Sequence, residues 1–326
     1  MLRSKIIGTG SFLPVRSMDN AFLSTIVDTS DAWIRERTGI CSRHIAANET
    51  TVSMGTAAAK DALAMAGLAA GELDLILLAT FTPDYIMPNT ACLIQAELGA
   101  AHAFCFDINA ACSGFLYALQ TADAYIRCGM CKNALVIGSE TISRTIDWKD
   151  RSTCILFGDG AGAVVLSSSS DDSGFLDFLS GSDGSRGSVL ELKNRALHNP
   201  YHILPSGQEP GPYLSMNGQE VFKFAVRKVP EMILSITERN HLSLTDIRHY
   251  ILHQANERII HAVAKRLNLP EDRFPVNLSE CGNTSAASIP ILLHECNQNN
   301  IIKQEDFLIL SGFGGGLTWS SALLKW

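Results

Sequence analysis

No apolar run in this 326-residue chain approaches the ~20 residues of a membrane-spanning helix. The opening stretch, MLRSKIIGTGSFLP, holds too short an apolar segment for a signal peptide and reads directly into a strand and turn. Charge is scarce at 18% of residues, and basic charge is the scarcer sign: 26 Lys+Arg against 33 Asp+Glu, a net charge of −7. That balance argues against a general nucleic-acid binder. A disulfide framework is missing too, since the nine cysteines are odd in number and scattered. These absences predict a protein of the reducing cytosol, with neither membrane nor nucleic acid as partner. Cys128 and Cys131 form a C-x-x-C, but no second pair completes a zinc ribbon. A thioredoxin-like motif would open a helix after a strand, whereas CGMC closes a helical run.

What is present is a hydrophobic content of 46%, enough in a chain of this length for one large or two ordinary buried domains. Residues 52–68 have helical period and composition. Residues 73–81 (LDLILLATF) form a nearly continuous apolar run, the pattern of a strand covered on both faces. Further strand-like runs at 103–108, 134–140 and 160–167 make this an α/β pattern. The second half repeats the first. Residues 72–80 align with 246–254, 133–140 with 306–313, and 106–109 (FDIN) with 274–277 (FPVN), in the same order and at nearly the same spacing. The reading is two pseudo-symmetric halves, 1–170 and 171–326, with corresponding strand ends facing each other. Between the matched segments, residues 193–214 are rich in Pro, Gly and Asn and read as an excursion over the surface or a site.

Three residues fall at the predicted carboxyl ends of strands, where open α/β sheets place their ligands. Cys112 follows the run FCFDI among small neighbours, His253 follows YIL in ILHQAN, and Asn283 lies in the glycine turn CGNTSAAS. Each has an ordinary alternative: a packed core thiol, a structural histidine, a turn or cap residue. A Cys–His–Asn set also admits two chemistries. A papain-like protease fits the chain order, and the Cys112-to-His253 separation falls within that family's ~130–150 residues. Its cysteine, however, lies near the mature N-terminus in C-G-S-C-W, not after a buried strand in AACSGF. The other chemistry is carbon–carbon condensation.

Here the motifs are specific. DTSDAWIRERTGI (28–40), ACSGF (111–115), FGDGAGA (157–163), HQAN (253–256), GNTSAAS (282–288) and FGGG (313–316) occur in one order from end to end of the chain. The sequence resembles the β-ketoacyl-acyl-carrier-protein synthase III family of condensing enzymes. The resemblance implies a thiolase-like α/β fold, two duplicated halves in a layered αβαβα arrangement. It implies that Cys112, at a helix N-terminus whose dipole favours thiolate, takes an acyl group from acyl-CoA. It further implies that His253 and Asn283 stabilise the enolate of decarboxylating malonyl-acyl carrier protein, and that the backbone N–H groups of Cys112 and Gly315 form the oxyanion hole. No cofactor or metal is expected, with acyl-CoA acting as substrate.

By the same resemblance Thr29, Trp33 and Arg37 belong to the CoA entrance, Arg151 covers the adenine opposite Trp33, and Phe222 and Asn256 line the pantetheine tunnel. An aromatic–guanidinium clamp suits an adenine ring. The acidic carrier protein calls for a local basic patch. Residues 256–267 supply one as a helix, with Arg258 and Lys265 on one face, joined by Lys223 and Arg266. Met87 occupies a position that closes the acyl pocket across a homodimer interface. Bulky phenylalanine often fills that position, so methionine predicts a more adaptable pocket. The expected activity is condensation of an acyl-CoA, acetyl-CoA first, with malonyl-acyl carrier protein to start fatty acid synthesis. Two other readings are a condensing enzyme or acyltransferase with a specialised starter, of the quinolone or polyketide type, and a carrier-protein-binding module without catalysis.

Overall fold

The computed structural model describes residues 2–194, 211 and 213–326. Most of the 193–214 excursion therefore lies outside the described residues. Its ends are described, and Leu190–Glu191 pairs with Ser215–Met216 at its base.

The elements that build the molecule are β1 (Arg3–Phe12), α1 (Asp31–Thr38), α2 (Thr51–Ala66), β2 (Leu75–Ala79), α3 (Thr90–Leu98), β3 (Phe104–Ile108), α4 (Gly114–Arg127), β4 (Asn133–Glu140) and β5 (Gly160–Ser169). They continue with β6 (Gly174–Ser182), α5 (Gly218–Arg239), β7 (Ile247–Leu252), α6 (Glu257–Leu267), α7 (Ser288–Gln298), β8 (Phe307–Gly314) and β9 (Thr318–Lys325). The first sheet has the order β1-β5-β4-β2-β3 and the second β6-β9-β8-β7. Strand for strand the second order repeats the first, with β2/β4 and β7/β8 parallel and the pairs to β5 and β9 antiparallel. Among the described residues the second sheet has one strand fewer. FPVN, the counterpart of FDIN in β3, is irregular at 274–277, and Pro275 brings no N–H to a ladder.

The apolar runs are continuous because both sheets are covered on both faces. In β2, Leu75, Leu77 and Ala79 point to a central core shared with Phe115 and Leu119 of α4, Ile289 and Leu293 of α7, and Leu308 and Leu310 of β8. Ile76 and Leu78 point the other way, to Met54, Ala58 and Ala62 of α2. Behind the second sheet, α5 and α6 pack through Ile233, Ile236, Ile260 and Val263. The result is five layers, α2/α3, sheet, α4/α7, sheet, α5/α6, as the family resemblance implies. The helices start and stop where their caps require: Thr50 accepts from Ser53 N–H and begins α2, and Gly67, in the left-handed region at φ 62°, ends it.

The duplication extends to the turns that enter α4 and α7. Asn109 Oδ1 accepts from Ala111 N–H at 3.2 Å, and Asn283 Oδ1 accepts from Ser285 N–H at 2.9 Å. Ala111 (φ 47°) and Ser285 (φ 51°) are both left-handed without being glycine, a conformation that costs of order 1–3 kcal/mol and clusters at functional sites. Each turn then runs through a 3₁₀ segment, Ala111–Ser113 or Ser285–Ala287, into the central helix.

Candidate active site

The two turns meet end to end at the core of the molecule, and Cys112, His253 and Asn283 line one cavity of about 710 Å³. Each is held by backbone geometry. Cys112 follows β3 and precedes the first α-turn of α4. His253 follows β7, and its N–H donates to Ser311 O in β8 at 2.9 Å. Asn283 donates its N–H to Leu156 O at 2.9 Å and accepts Gly158 N–H at 3.1 Å, which locks it to the FGDG segment. With its side-chain oxygen committed to Ser285 N–H, the carboxamide NH₂ of Asn283 is left as a donor for the cavity.

Electrostatics sort the triad. His253 is fully buried, and desolvation pulls its imidazole down to about 3, so the ring is neutral. Its Nδ1 is sealed without a partner, leaving Nε2 as the nitrogen open to the cavity. The ring meets Phe313 edge-on at 5.5 Å. Burial also pushes the Cys112 thiol up to about 12, and the nearby Glu140 carboxylate adds to the rise. Both effects work against the resting thiolate that a helix N-terminus favours. Cys112 is only 7% exposed and lies in the 3₁₀ segment ahead of α4, where loss of water opposes the helix dipole. Burial thus favours the neutral form of both Cys112 and His253.

Beyond the triad the cavity continues past Phe222 and Asn256 to Arg37 and Ser152. Trp33 stands at this mouth with the Arg37 guanidinium 4.3 Å and the Arg151 guanidinium 4.7 Å from its ring centre. Arg151 is therefore already stacked on Trp33. An adenine held between the two requires them to part to roughly 7 Å, twice the ~3.5 Å contact distance. Thr29 brings a buried hydroxyl without a partner. Asn256 has a structural task that sequence reasoning does not assign: it caps α6 and donates to Arg37 O at 3.0 Å, tying the mouth to the tunnel.

A second cavity of about 350 Å³ lies on the other side of Cys112, lined by Phe81, Ala111, Phe157, Leu190 and Gly315. Gly315 thus shares a cavity with Cys112, while its neighbour Gly314 packs directly on the cysteine: a Cβ on Gly314 would stand 2.6 Å from Cys112 N. Met87 lines neither cavity. It is 86% exposed in this chain, beside exposed Tyr85 and Ile86. Sequence reasoning also misses Phe157, which lines both cavities, although it lies within the FGDGAGA motif. On α5 and α6, Lys223, Arg258, Lys265 and Arg266 are all exposed. Lys223 is partly spent on Glu220 at 2.9 Å, and Arg266 donates to Val226 O.

Comparison with known proteins fits this geometry. Residues 106–184 match the family model of 3-oxoacyl-[acyl-carrier-protein] synthase III, and 237–326 match that of its C-terminal part. A β-ketoacyl-[acyl-carrier-protein] synthase III of Clostridium perfringens is 48% identical over 326 residues, all of both chains. This chain belongs to the synthase III family. It is accordingly a condensing acyltransferase of fatty acid synthesis with a thiolase-like fold. The crystal structure of an Aquifex aeolicus synthase III aligns with a TM-score of 0.93 at 47% identity, over 99% of this chain and 100% of that one. The priming β-ketosynthase of the R1128 polyketide pathway aligns at 0.91 with 34% identity, over 99% of this chain and 96% of that one. Among the described residues, no helix is long and apolar enough to cross a membrane.

Proposed function

We propose that this synthase III loads an acyl group from acyl-CoA onto Cys112 and condenses it with malonyl-acyl carrier protein, with acetyl-CoA as a principal starter. The observation that carries the reading is the single cavity that joins Cys112, His253 and Asn283 to a mouth built of Arg37 and Trp33. A neutral His253 and the Asn283 NH₂ are N–H donors suited to the thioester carbonyl of the malonyl group. They stabilise the enolate that forms as carbon dioxide leaves. That carbanion attacks the acyl-Cys112 carbonyl, whose developing charge meets the N–H groups of Cys112 and Gly315. The chemistry calls on no cofactor, because N–H donors meet each developing charge. Incubation with a panel of acyl-CoAs and malonyl-carrier protein tests it. The expected result is an acyl adduct on Cys112 and a 3-oxoacyl product, with the acyl length read from the mass; absence of any adduct on Cys112 overturns the assignment.

CoA enters between Trp33 and Arg151, with Thr29 and Arg37 at the rim and Phe222 and Asn256 along the tunnel. Trp33→Ala is expected to raise KM for acyl-CoA by roughly tenfold, since a stacked cation–π contact is worth about 0.5–2 kcal/mol. With bound substrate still aligned on Cys112, kcat should change little. Steady-state kinetics separate the two, and a fall confined to kcat argues against the clamp.

The carrier protein docks on the α5/α6 face beside the mouth. Arg258, Lys265 and Arg266 have no carboxylate partner among the described residues, and neither does exposed Arg227, which follows Lys223 by one helical turn. Reversing Arg258 and Lys265 to glutamate is expected to weaken use of malonyl-carrier protein, most strongly at low salt, while acyl-CoA loading persists. Equal loss of both half-reactions would show a folding defect instead. The exposed Tyr85–Met87 run is the kind of apolar surface a second copy covers, and in a homodimer Met87 closes the partner's acyl cavity. The protein works in the cytoplasm.

A further inference from the structure

Arg43 is the largest fully buried side chain among the described residues, and no step of the proposed reaction uses it. It lies in the short strand Ser42–His44, which pairs with Ser17–Asp19. Burial pulls its guanidinium down to about 10, still protonated near neutrality. Its donors meet oxygens that carry no formal charge: Met18 O at 3.2 Å, Asn20 Oδ1 at 2.8 Å and Ile155 O at 2.7 Å. Its Nε is sealed without a partner. A buried cation held by neutral acceptors is costly, and an apolar residue of similar volume would fill the site with less penalty. Stability therefore does not account for an arginine here, whereas the places its two terminal nitrogens reach do.

One arm runs to the mouth of the cavity. Nη1 donates to Asn20 Oδ1, which turns the buried Asn20 carboxamide so that its NH₂ faces α1. That NH₂ donates to Asp31 Oδ1 at 2.9 Å, at the start of α1, and to Ile40 O at 2.8 Å, just past its end. Asn20 thereby grips both ends of the helix that carries Trp33 and Arg37. The other arm runs to the triad. Nη2 donates to Ile155 O, at the end of the short helical turn Arg151–Cys154. In the next residue, Leu156 O accepts the Asn283 N–H at 2.9 Å, and Gly158 N–H returns to Asn283 O at 3.1 Å. The stem of Arg43 packs on the same turn: a Cβ on Gly158 or on Gly282 would stand 3.1 Å from Arg43 Cβ. Backbone bonds from Cys41 N to Ser279 O at 2.7 Å and from Asp159 N to His44 O at 2.8 Å fix the strand against these segments.

We propose that Arg43 is a positioning residue for both half-reactions, setting the CoA mouth through Asn20 and the Asn283 donor through residues 155–158. A planar guanidinium delivers two donors in fixed, diverging directions, which a single ammonium nitrogen cannot do. Loss of the first arm frees α1, so Trp33 no longer stands opposite Arg151 and acyl-CoA binds more weakly. Loss of the second frees Leu156 and Gly158, so the Asn283 NH₂ drifts from the malonyl carbonyl and the enolate is less well stabilised. Cys112 and His253 are held by β3, α4, β7 and β8, none of which takes a hydrogen bond from Arg43. Attack by sulfur on bound acyl-CoA therefore keeps its rate.

The inference rests on α1 being the CoA entrance and Asn283 an enolate donor, so Trp33→Ala and Asn283→Ala are measured beside it. Rapid-quench transfer of labelled acetyl from acetyl-CoA to Cys112 gives the half-saturating concentration and the saturating loading rate. Carbon dioxide release from malonyl-carrier protein is read in a Cys112→Ala background. Arg43→Met is expected to raise the half-saturating acetyl-CoA concentration about fivefold, less than loss of the Trp33 clamp, with the saturating rate within about twofold of wild type. Its carbon dioxide release should fall about tenfold, for a shift smaller than the ~1 Å that costs ~10²-fold. Arg43→Lys keeps the charge but offers one nitrogen, so it should show the same paired losses and serves if the methionine variant does not fold. Asn20→Asp keeps an acceptor for Arg43 and removes both donors to α1, so it should weaken acetyl-CoA use alone. Wild-type values in Arg43→Met, loss of one half-reaction only, or full activity in Arg43→Lys each overturn the joint support. So does a saturating loading rate that falls with the other two, the mark of a general folding defect. Unchanged half-reactions in Trp33→Ala and Asn283→Ala would overturn the mouth and donor assignments instead.

Discussion

Cys112→Ala is expected to abolish acyl-enzyme and condensed product while still releasing carbon dioxide from malonyl-carrier protein. Only loading needs the sulfur as nucleophile. Decarboxylation needs donors to the malonyl thioester carbonyl, and the proposed mechanism assigns those to His253 and Asn283. His253→Ala and Asn283→Ala should therefore show the opposite split. Each should still accept an acyl group but decarboxylate ~10²–10³-fold more slowly, the typical cost of removing one donor from a preorganised oxyanion site. The neutral state of His253, pulled down to about 3 by burial, sharpens the contrast. A protease-like site would use its imidazole as the base for the thiol, and its loss would mainly stop loading. Acyl-enzyme mass and labelled carbon dioxide, measured side by side for the three variants, decide between these patterns. Normal decarboxylation with lost loading in both His253→Ala and Asn283→Ala would remove the enolate-stabilising role from both.

Gly314→Ala is expected to cost about 10²-fold or more in loading. The added methyl would stand 2.6 Å from Cys112 N and 3.2 Å from its Cα and Cβ. The N and Cα are backbone atoms of the turn that carries Cys112 and the Cβ is fixed to them, so the clash is relieved only by moving Cys112 or the end of β8. A displacement of ~1 Å from the attacking geometry is enough for a loss of that order. The accompanying overpacking should lower stability by about 1–3 kcal/mol. Denaturant unfolding beside the loading rate checks both. Unchanged loading would mean that the turn absorbs the methyl without shifting the sulfur. Gly282 marks the corresponding constraint on the other wall: it is left-handed at φ 64°, and a Cβ there would lie 3.0 Å from Leu156 O, next to the Asn283 anchor.

The sequence by itself determined the α/β class, the duplication and the three strand-end residues that share the cavity, while the layering came with the family its motifs resemble. Strands covered on both faces must be apolar at every position, so runs such as LILLA in β2 announce a buried sheet. The aligned runs at 72–80 and 246–254 announce two such sheets, because a duplicated chain repeats its strand order. Cys112, His253 and Asn283 were legible because strand ends and small-residue turns leave a local imprint on the chain. Tertiary structure decided what depends on neighbours remote in sequence. Whether Cys112 rests as thiol or thiolate follows from burial and from Glu140, which the helix-start motif does not encode. The stacking of Arg151 on Trp33 needs two segments more than a hundred residues apart to meet. That no strand opposite β3 appears among the described residues reflects local backbone that an apolar match cannot sense.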